Sequence, residues 1–332
     1  MMLEQTELKE LKRGDTVDHY LLISRLDIRT TKAGKEYLSL VLQDQSIALN
    51  ANVWENFNSL VNNSKVGDVV KVDGSIEEFQ GAPQIRISKI RLLSPSDNIS
   101  PAEFLPKSEH DLGKMVEEFE NRIDKISNKQ LKTLLGRIFS SERFTNFTLA
   151  PAGKSWHHGY IHGLIEHTLE IIRICDLMSD FHPEINRDLL ISGAMLHDFG
   201  KTEELKYDSA FEYTDKGKLL GHIVIAAIII SEEAKSLPDF PIELKNNLIH
   251  LLLSHQGKLE YASPVVPKTI EAIALYQADE LSAKVNAYKN ALYTEKKSDR
   301  GWTKFITLAQ TDLYNHELSP EQEEKLNNTL FD

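Results

Sequence analysis

The hydrophobic pattern of this 332-residue chain changes its period once, in the stretch from residue 94 to residue 109. Before it, short alternating apolar runs are separated by polar turns, which is typical of β-strands. After it, apolar residues recur at three- and four-residue spacing, which is typical of amphipathic helices. The stretch itself holds three prolines and reads as a linker. We therefore expect two domains, residues 1–93 and 110–290, with a linker at 94–109 and a C-terminal extension at 291–332.

The first domain is predicted to be a small barrel. Five strands and one short helix are expected, the strands at 16–27, 37–42, 48–54, 69–74 and 85–93 and the helix at 55–65. A helix between the third and fourth of five strands is the order found in an OB-fold, which binds oligonucleotides or oligosaccharides across its barrel face.

The second domain is predicted to be an all-α bundle. Helical patterns cover residues 115–126, 129–139, 164–180, 187–199, 219–236, 242–254 and 268–290. The apolar run IVIAAIIIS at 223–231 leaves room for helix-mediated assembly, so a homo-oligomer is also expected.

The distribution of charge limits the kinds of nucleic-acid binding that are expected of this chain. The chain has a net charge of −12, yet residues 1–93 hold 12 basic and 13 acidic side chains, so the acidity lies almost wholly in the second domain. Tight, general binding of duplex nucleic acid is disfavoured by this acidity, because phosphate neutralisation needs Lys and Arg.

The compartment is indicated by three further features of the sequence. No run of eighteen apolar residues occurs, the N-terminus has no apolar signal core, and Cys175 is the only cysteine. A cytoplasmic protein with no membrane span is expected.

The chemistry is indicated by six polar residues that lie in or at the ends of apolar helices. They are His167, His197, Asp198, His222, His255 and Asp279. Buried imidazoles and carboxylates need partners, and together they suit Mn, Fe, Co or Zn. Six ligands are too many for one catalytic ion, but they fit two ions that share a carboxylate, and Asp198 is the natural bridge.

Two such ions about 3.5–4 Å apart can hold an attacking hydroxide and a leaving oxygen together, which is the chemistry of phosphoester hydrolysis. Lys201, three residues beyond Asp198, is a candidate for holding the phosphate as a point charge. Asp198 and Lys201 are therefore the predicted catalytic residues.

The order of these residues resembles that of the HD-domain superfamily of metal-dependent phosphohydrolases. The runs APAGKSWHHGYIHGLIEHTL, LHDFGK, LLGH, LSHQGK and SPVVPKT resemble the YhaM-type 3′-to-5′ exoribonucleases, over nearly the whole chain from residue 14 to residue 284. The resemblance implies an N-terminal OB-fold followed by an HD domain, a Mn- or Co-type centre of two ions, and stepwise release of 5′-nucleotides from single-stranded 3′ ends. It also implies that the six residues above are the metal ligands, with manganese expected first.

The resemblance carries further residues and two departures. His157 and His158 match the family's paired histidines and are expected to contact the substrate phosphate. Gln256 stands where the family usually has a second histidine, and His162 where it usually has glycine. The first departure bears on the second metal position.

The first domain offers candidates for binding single strands, which are held by stacking on aromatic rings and by a basic track. The predicted contacts are Arg25, Arg29, Lys35, Tyr37 and Trp54, with Lys32 around the same turn and Phe79 as a further aromatic residue. Arg86 and Lys89 alternate on the last predicted strand and can share a face. The patch is modest, so weak, salt-sensitive binding of single-stranded RNA is expected, with single-stranded DNA as a second ligand.

Three functions remain open at this point. The first is a metal-dependent 3′-to-5′ exonuclease on single-stranded RNA, which uses both domains. The second is an HD-type phosphodiesterase acting on a small nucleotide or cyclic dinucleotide, which leaves the OB-fold without a role. The third is a nucleic-acid-binding adaptor with a vestigial metal site, against which the retention of all six ligand types argues.

Overall fold

The computed structural model describes residues 5–79, 82–154, 157–294, 301–307 and 309–314. The chain divides into two compact units. One comprises the residues up to Lys107 together with Tyr207–Phe211, and the other comprises the remaining residues from Ser108 onward.

The first unit is a closed five-stranded barrel. Its elements are β1 (Thr16–Thr30), β2 (Glu36–Gln43), β3 (Ala48–Val53), α1 (Asn58–Asn63), β4 (Val69–Phe79) and β5 (Ala82–Leu92). The strand order is β1-β2-β3-β5-β4, and β1 closes the barrel against β4. The pairing of β3 with β5 is parallel and the other four pairings are antiparallel. This topology, with α1 between β3 and β4, confirms the predicted OB-fold.

The barrel core follows from the alternation of side chains along the strands. Leu38, Leu40 and Leu42 of β2 are fully buried, and so are Val70 and Val72 of β4. The strand β1 runs three residues beyond its predicted end, because its pairing with β2 continues as far as Thr30 opposite Glu36.

The second unit is helical. Its helices are α2 (Leu112–Asp124), α3 (Lys129–Ile138), α4 (Ser141–Leu149), α5 (Gly163–Phe181), α6 (Arg187–Leu196), α7 (Lys201–Glu204), α8 (Asp215–Ser236), α9 (Ile242–Ser254) and α10 (Ile270–Thr294). This confirms the predicted helical bundle. The unit also contains two antiparallel strands of two residues each, β6 (Leu205–Lys206) and β7 (Glu212–Tyr213), which the sequence pattern did not predict. Within the described ranges, no helix combines the length and the apolar character that crossing a bilayer requires.

The centre of the helical unit is formed by α5 and α6, which pack against each other and against α10. Every residue of α6 from Leu189 to Leu196 is buried, so this helix has no solvated face. It begins at a side-chain cap, because Asn186 Oδ1 accepts a hydrogen bond from the backbone N–H of Leu189. The functional residues that end α6 are thereby placed deep in the unit.

The apolar run at 223–231 lies in α8 and is mostly buried. Ile225, Ala226 and Ile230 face the interior, whereas Val224 and Ile228 are exposed. Homo-oligomer formation stays a prediction.

The sequence predicts that His19, His110, His182 and His316 are plain surface residues, and the structure corrects the first two. His19 is buried, and its Nε2 lies 2.8 Å from the backbone carbonyl oxygen of Thr6. His110 is half-buried, with Nε2 3.6 Å from Glu166 Oε1. His182 is exposed, as predicted, and His316 lies outside the described residues.

The extension at 291–332 was expected to be partly helical and partly loose. The helix α10 reaches Thr294, and a short antiparallel bridge joins Trp302 to Tyr314. The rest of the extension falls largely outside the described residues.

Candidate metal centre and nucleic-acid interface

The six predicted metal ligands come together in the helical unit. His167 lies on α5, His197 and Asp198 follow the end of α6, His222 lies on α8, His255 follows the end of α9, and Asp279 lies on α10. His167, His197 and His255 are fully buried, and Asp198 is 2 % exposed. The side chains of His222 and Asp279 keep some exposure, so the cluster reaches solvent on their side.

Asp198 lies between two sets of these side chains. Its Oδ2 is 3.3 Å from His197 Nε2 and 3.8 Å from His167 Nε2. Its Oδ1 is 3.3 Å from His222 Nε2 and 3.6 Å from His255 Nε2. The ligand atoms of His167, His197 and Asp279 lie within 4.8 Å of one another, and so do those of Asp198, His222 and His255. Each oxygen of one carboxylate thus faces its own set, which is the arrangement expected of a bridge.

The orientation of two imidazoles is set by the helices that they end. His197 Nδ1 lies 2.8 Å from the carbonyl oxygen of Ala194, and His255 Nδ1 lies 2.7 Å from that of Leu252. A carbonyl oxygen only accepts, so Nδ1 carries the proton in both rings. Nε2 is therefore the nitrogen of each ring that faces Asp198 and is placed to ligate a cation.

His222 is placed by a break in α8. Gly221 has φ +71°, a left-handed conformation inside the helix that glycine adopts without strain. The backbone N–H of His222 is thereby released from the helix and donates to Glu204 Oε1 at 2.9 Å, and His222 Nδ1 lies 3.1 Å from the same oxygen. This carboxylate again makes Nδ1 the donor and leaves Nε2 for the centre.

His167 is oriented through a hydroxyl. Ser282 Oγ donates to Glu170 Oε2 at 2.6 Å, so it accepts from His167 Nδ1, which lies 3.0 Å away. His167 Nε2 then faces Asp279 Oδ1 at 3.1 Å. Metal-binding histidines commonly donate their second ring N–H to a fixed acceptor in this way.

The loop after α6 is fixed by close packing. Phe199 is buried and meets Phe139 edge-to-face with ring centroids 5.4 Å apart. A Cβ at Gly200 would lie 2.0 Å from the carbonyl oxygen of His222, so only glycine lets the two backbones approach this closely. The position of Asp198 relative to His222 therefore depends on this contact.

The electrostatics of the cluster favour the forms that bind cations. Burial lowers the pKa of His255 to about 4 and holds the pKa of His167 well below its usual value. Burial on its own would raise the pKa of Asp198, but the charges of Lys201 and His197 outweigh it and hold that pKa well below its usual range. The cluster thus offers neutral imidazoles at His167 and His255 beside an ionised carboxylate, whereas the charge of Asp198 outweighs burial and raises the pKa of His197.

The unpaired atoms of the cluster test whether its residues fit a metal. Among the described residues, His197 Nε2, His222 Nε2 and Asp198 Oδ1 have no hydrogen-bond partner, although all three atoms are buried. Buried polar groups without partners are costly. Lys201 Nζ, itself buried, lies 2.5 Å from Asp198 Oδ2 and supplies a positive charge there. Unpaired nitrogen and carboxylate oxygen atoms that converge on one place are the donor set of a divalent cation.

The paired histidines are split between two environments. The ring of His157 lies 5.1 Å from that of His167, beside the cluster. His158 is fully buried, and its Nε2 faces Glu166 and Glu170.

The two departures from the family pattern lie in different places. Gln256 places its amide Nε2 3.2 Å from His255 Nε2. His162 precedes α5 and bonds the carbonyl oxygen of Thr148 through Nδ1, away from the six ligands.

The barrel carries its candidate contacts on the outer face of β1, β2 and β3. The rings of Tyr37 and Trp54 stack with centroids 4.7 Å apart, and Trp54 is 49 % exposed. Arg29 lies directly opposite Tyr37 in the sheet. Arg25 and Arg29 share Asp27 as an ion-pair partner. The structure therefore brings these predicted residues onto one face.

The other candidates are exposed but partly neutralised. Lys35 pairs with Glu55 and Arg86 pairs with Glu77. The surface thus carries less free positive charge than its basic residues suggest. Other exposed candidates are Lys32, Phe79 and Lys89.

Sequence reasoning missed the residues that orient the ligands, namely Glu170, Glu204 and Ser282.

Comparison with known proteins gives two family matches. Residues 164–284 match the HD domain, and residues 23–93 match an OB-fold nucleic acid binding domain. A domain of replication protein A from Methanococcus maripaludis aligns with 27% of this chain and 97% of its own at 20% identity, but its TM-score of 0.23 is too low to bear on the fold.

Full-length relatives are more informative. The 3'-5' exoribonuclease YhaM of Listeria welshimeri is 33% identical over 297 residues, which is 89% of this chain and 94% of the relative. The protein of that name from Bacillus subtilis is 32% identical over 86% of this chain and 90% of its own, and that from Oceanobacillus iheyensis is 34% identical over 84% and 87%. The chain therefore belongs to the YhaM family, which joins an OB-fold to an HD domain.

Proposed function

We propose that this protein is a 3′-to-5′ exonuclease that hydrolyses the terminal phosphodiester bond of single-stranded RNA and releases 5′-nucleotides. The observation that carries the proposal is the position of Asp198, whose two oxygens face separate sets of ligand atoms. The relatives named as 3'-5' exoribonucleases support the polarity and the choice of RNA. Single-stranded DNA is proposed as a second substrate.

The six clustered residues would hold two divalent ions. The set of His167, His197 and Asp279 would hold one and the set of His222 and His255 the other, with Asp198 shared. When bound, such ions supply Lewis acidity and lower the pKa of water. Manganese is the proposed metal, because mixed imidazole and carboxylate ligands suit it, and cobalt, iron and zinc fit the same ligands.

The chain's own groups would bind and orient the phosphate. Lys201 presents a buried ammonium beside Asp198, where it can contact a non-bridging phosphate oxygen. His157 lies beside the cluster, and burial lowers its pKa to about 2, so its neutral ring can donate one hydrogen bond to the phosphate. In the reaction the bond between phosphorus and the 3′-oxygen of the penultimate nucleotide breaks. Water supplies hydroxyl to phosphorus and a proton to the departing oxygen.

The barrel is proposed to bind the single strand. Trp54, stacked on Tyr37, would hold a base, and Arg25, Arg29 and Lys35 would contact the backbone. Because acidic neighbours offset these charges, binding is expected to be weak and sensitive to salt. We propose residues 1–93 and 110–290 as the binding and catalytic domains, with a linker at 94–109.

The experiment that tests the function is degradation of a 5′-labelled single-stranded RNA in EDTA, Mg²⁺, Mn²⁺ or Co²⁺. The protein is compared with Asp198→Ala and with Asp180→Ala, a matched change at an exposed position of the same unit. A metal-dependent ladder that shortens from the 3′ end, present for Asp180→Ala and absent for Asp198→Ala, is the expected result.

Two outcomes would count against the proposal. If Asp198→Ala kept the parental activity, the Asp198 cluster would have no role in the reaction. An intact RNA under every metal would shift the function to a small nucleotide, which can be tested with a cyclic dinucleotide, or to RNA binding alone.

A further inference from the structure

A second group of acidic and imidazole side chains lies beside His167, whose ring is 5.1 Å from that of His158. Its members are His158, Glu166 and Glu170, whose ligand atoms lie within 4.8 Å of one another. His158 Nε2 is 3.7 Å from Glu166 Oε1 and 3.5 Å from Glu170 Oε1. None of the three belongs to the predicted ligand set of the Asp198 cluster.

His158 is held in place by its backbone, and its ring faces the two glutamates without a hydrogen bond at either nitrogen. Its backbone N–H donates to Asn286 Oδ1 at 2.8 Å, and its carbonyl oxygen accepts from the backbone N–H of Ala152 at 3.0 Å. The side chain has no exposure, and among the described residues neither ring nitrogen makes a hydrogen bond. A fully buried imidazole whose Nε2 points between two carboxylates is unsatisfied unless something occupies that place.

Hydrogen bonds hold the two carboxylates so that the Oε1 atom of each faces His158. Glu166 accepts hydrogen bonds from Tyr160 Oη at 2.8 Å and from Ser108 Oγ at 2.6 Å. Glu170 uses Oε2 for Ser282 Oγ, which leaves Oε1 towards His158. Glu166 is buried, whereas the Glu170 side chain is 35% exposed and offers a route from solvent.

From this arrangement we propose that His158, Glu166 and Glu170 bind a further divalent cation, separate from the ions of the Asp198 cluster. One nitrogen and two carboxylate ligands suit a transition ion such as Mn²⁺. Metal–ligand bonds of about 2.1 Å place ligand atoms roughly 3 to 3.7 Å apart, which matches the separations of His158 Nε2 from the two oxygens.

The site would have a consequence for His167. Glu170 accepts from Ser282, and Ser282 accepts from His167 Nδ1. A cation on Glu170 Oε1 would fix the carboxylate that anchors this chain of hydrogen bonds. The cation is therefore assigned a positioning role, and its binding does not depend on the proposed hydrolysis of RNA.

The test is a count of bound Mn²⁺ in the full-length protein, by equilibrium dialysis to saturation with elemental analysis. The variants are Glu170→Gln and His158→Gln, with Glu184→Gln as an exposed control of the same chemistry. We expect both site variants to lose about one equivalent relative to the parent and the control. An unchanged count in both would overturn the proposal, since His158 would then be a structural partner of the two glutamates.

The Asp198→Ala background separates this site from the Asp198 cluster. Glu170→Gln in that background should still remove about one equivalent, because Asp198→Ala leaves His158, Glu166 and Glu170 unchanged. An equal count in Asp198→Ala and in the double variant would show that the effect of Glu170→Gln travels through the Asp198 cluster, and would overturn the separate site. Asp198→Ala should keep the equivalent that Glu170→Gln loses, whether or not the protein degrades RNA.

Discussion

Glu204 Oε1 accepts two hydrogen bonds from His222, one from the backbone N–H at 2.9 Å and one from Nδ1 at 3.1 Å. A single carboxylate oxygen thus stabilises the break in α8 and orients the imidazole beyond it. Burial on its own would raise the pKa of Glu204, but the hydrogen bonds from His222 lower it, so the group stays ionised.

Glu204→Gln should weaken metal binding without unfolding the protein. The neutral amide is a poorer acceptor for Nδ1–H, so His222 becomes a poorer ligand, and loss of such partners costs about 10- to 100-fold in metal affinity. Calorimetric titration with Mn²⁺ measures this. Glu203→Gln, at a surface ion pair with Lys216, is the matched control and should keep the parental affinity.

Lys201→Gln should lower turnover while preserving or tightening metal binding. Removing a group that stabilises developing charge costs about 100- to 1,000-fold in kcat. The ammonium also attracts Asp198 Oδ2, so its loss removes a competitor for the cation. Single-turnover RNA cleavage and Mn²⁺ titration give the two readouts, with exposed Lys218→Gln as the control. Turnover equal to the parent's would contradict a role for Lys201 in the reaction.

Trp54→Ala should weaken RNA binding, because stacking of a base on an aromatic ring is worth about 1–3 kcal/mol, or roughly 5- to 150-fold in affinity. Fluorescence anisotropy with a labelled oligonucleotide, in an Asp198→Ala background, measures binding without cleavage. Phe181→Ala, which also removes an exposed aromatic ring, should have no effect. Equal losses in both variants would mean that Trp54 is not a specific contact.

Glu118 should contribute stability at neutral pH and lose that contribution in acid. Burial would raise its pKa, but hydrogen bonds from Arg173 and Arg122 lower it. A carboxyl group whose folded pKa is depressed stabilises above its unfolded pKa of about 4.3, and the stabilisation fades as pH falls towards the folded pKa. The difference in unfolding free energy between the parent and Glu118→Gln should be constant from about pH 6 to pH 8 and smaller at about pH 4. Urea unfolding monitored by helical circular dichroism measures it, and a difference that grows on acidification would contradict the assignment.

Cys175 should resist thiol reagents in the folded protein. It is fully buried in α5, and burial raises the pKa of the thiol well above its ordinary value. Only the thiolate reacts, so labelling by a disulfide reagent should proceed at the rate of unfolding. Rapid labelling under native conditions, at the rate seen in guanidinium chloride, would contradict the expected protection of the thiol.

Most elements of the fold were visible in the sequence because their patterns are local. The alternation in YLSLVL predicts β2, and the spacing of apolar residues predicts α5 and α6. The helix α4 was missed, since the run SERFTNFTL is short and its buried aromatic residue, Phe147, packs against a partner distant in sequence, Phe199. Local patterns do not contain that kind of information.

The residues of the cluster were predictable as a set, because histidines and carboxylates inside apolar helices stand out. The residues that orient them were not. Glu170 and Glu204 look like solvated helix positions, and Ser282 lies 115 residues from the imidazole that it bonds. The surface prediction for His19 was wrong for the same reason, since its partner is a backbone carbonyl brought close by the fold.

The stack of Tyr37 on Trp54 is complete before any nucleic acid arrives. One face of the indole is already covered, so under the proposed function an incoming base would meet a single open face and add to the end of a two-ring column. Neither side chain would lose rotamer freedom on binding, because that freedom was lost when the barrel folded. The preformed stack would thus limit Trp54 to one base and lower the entropic cost of binding it.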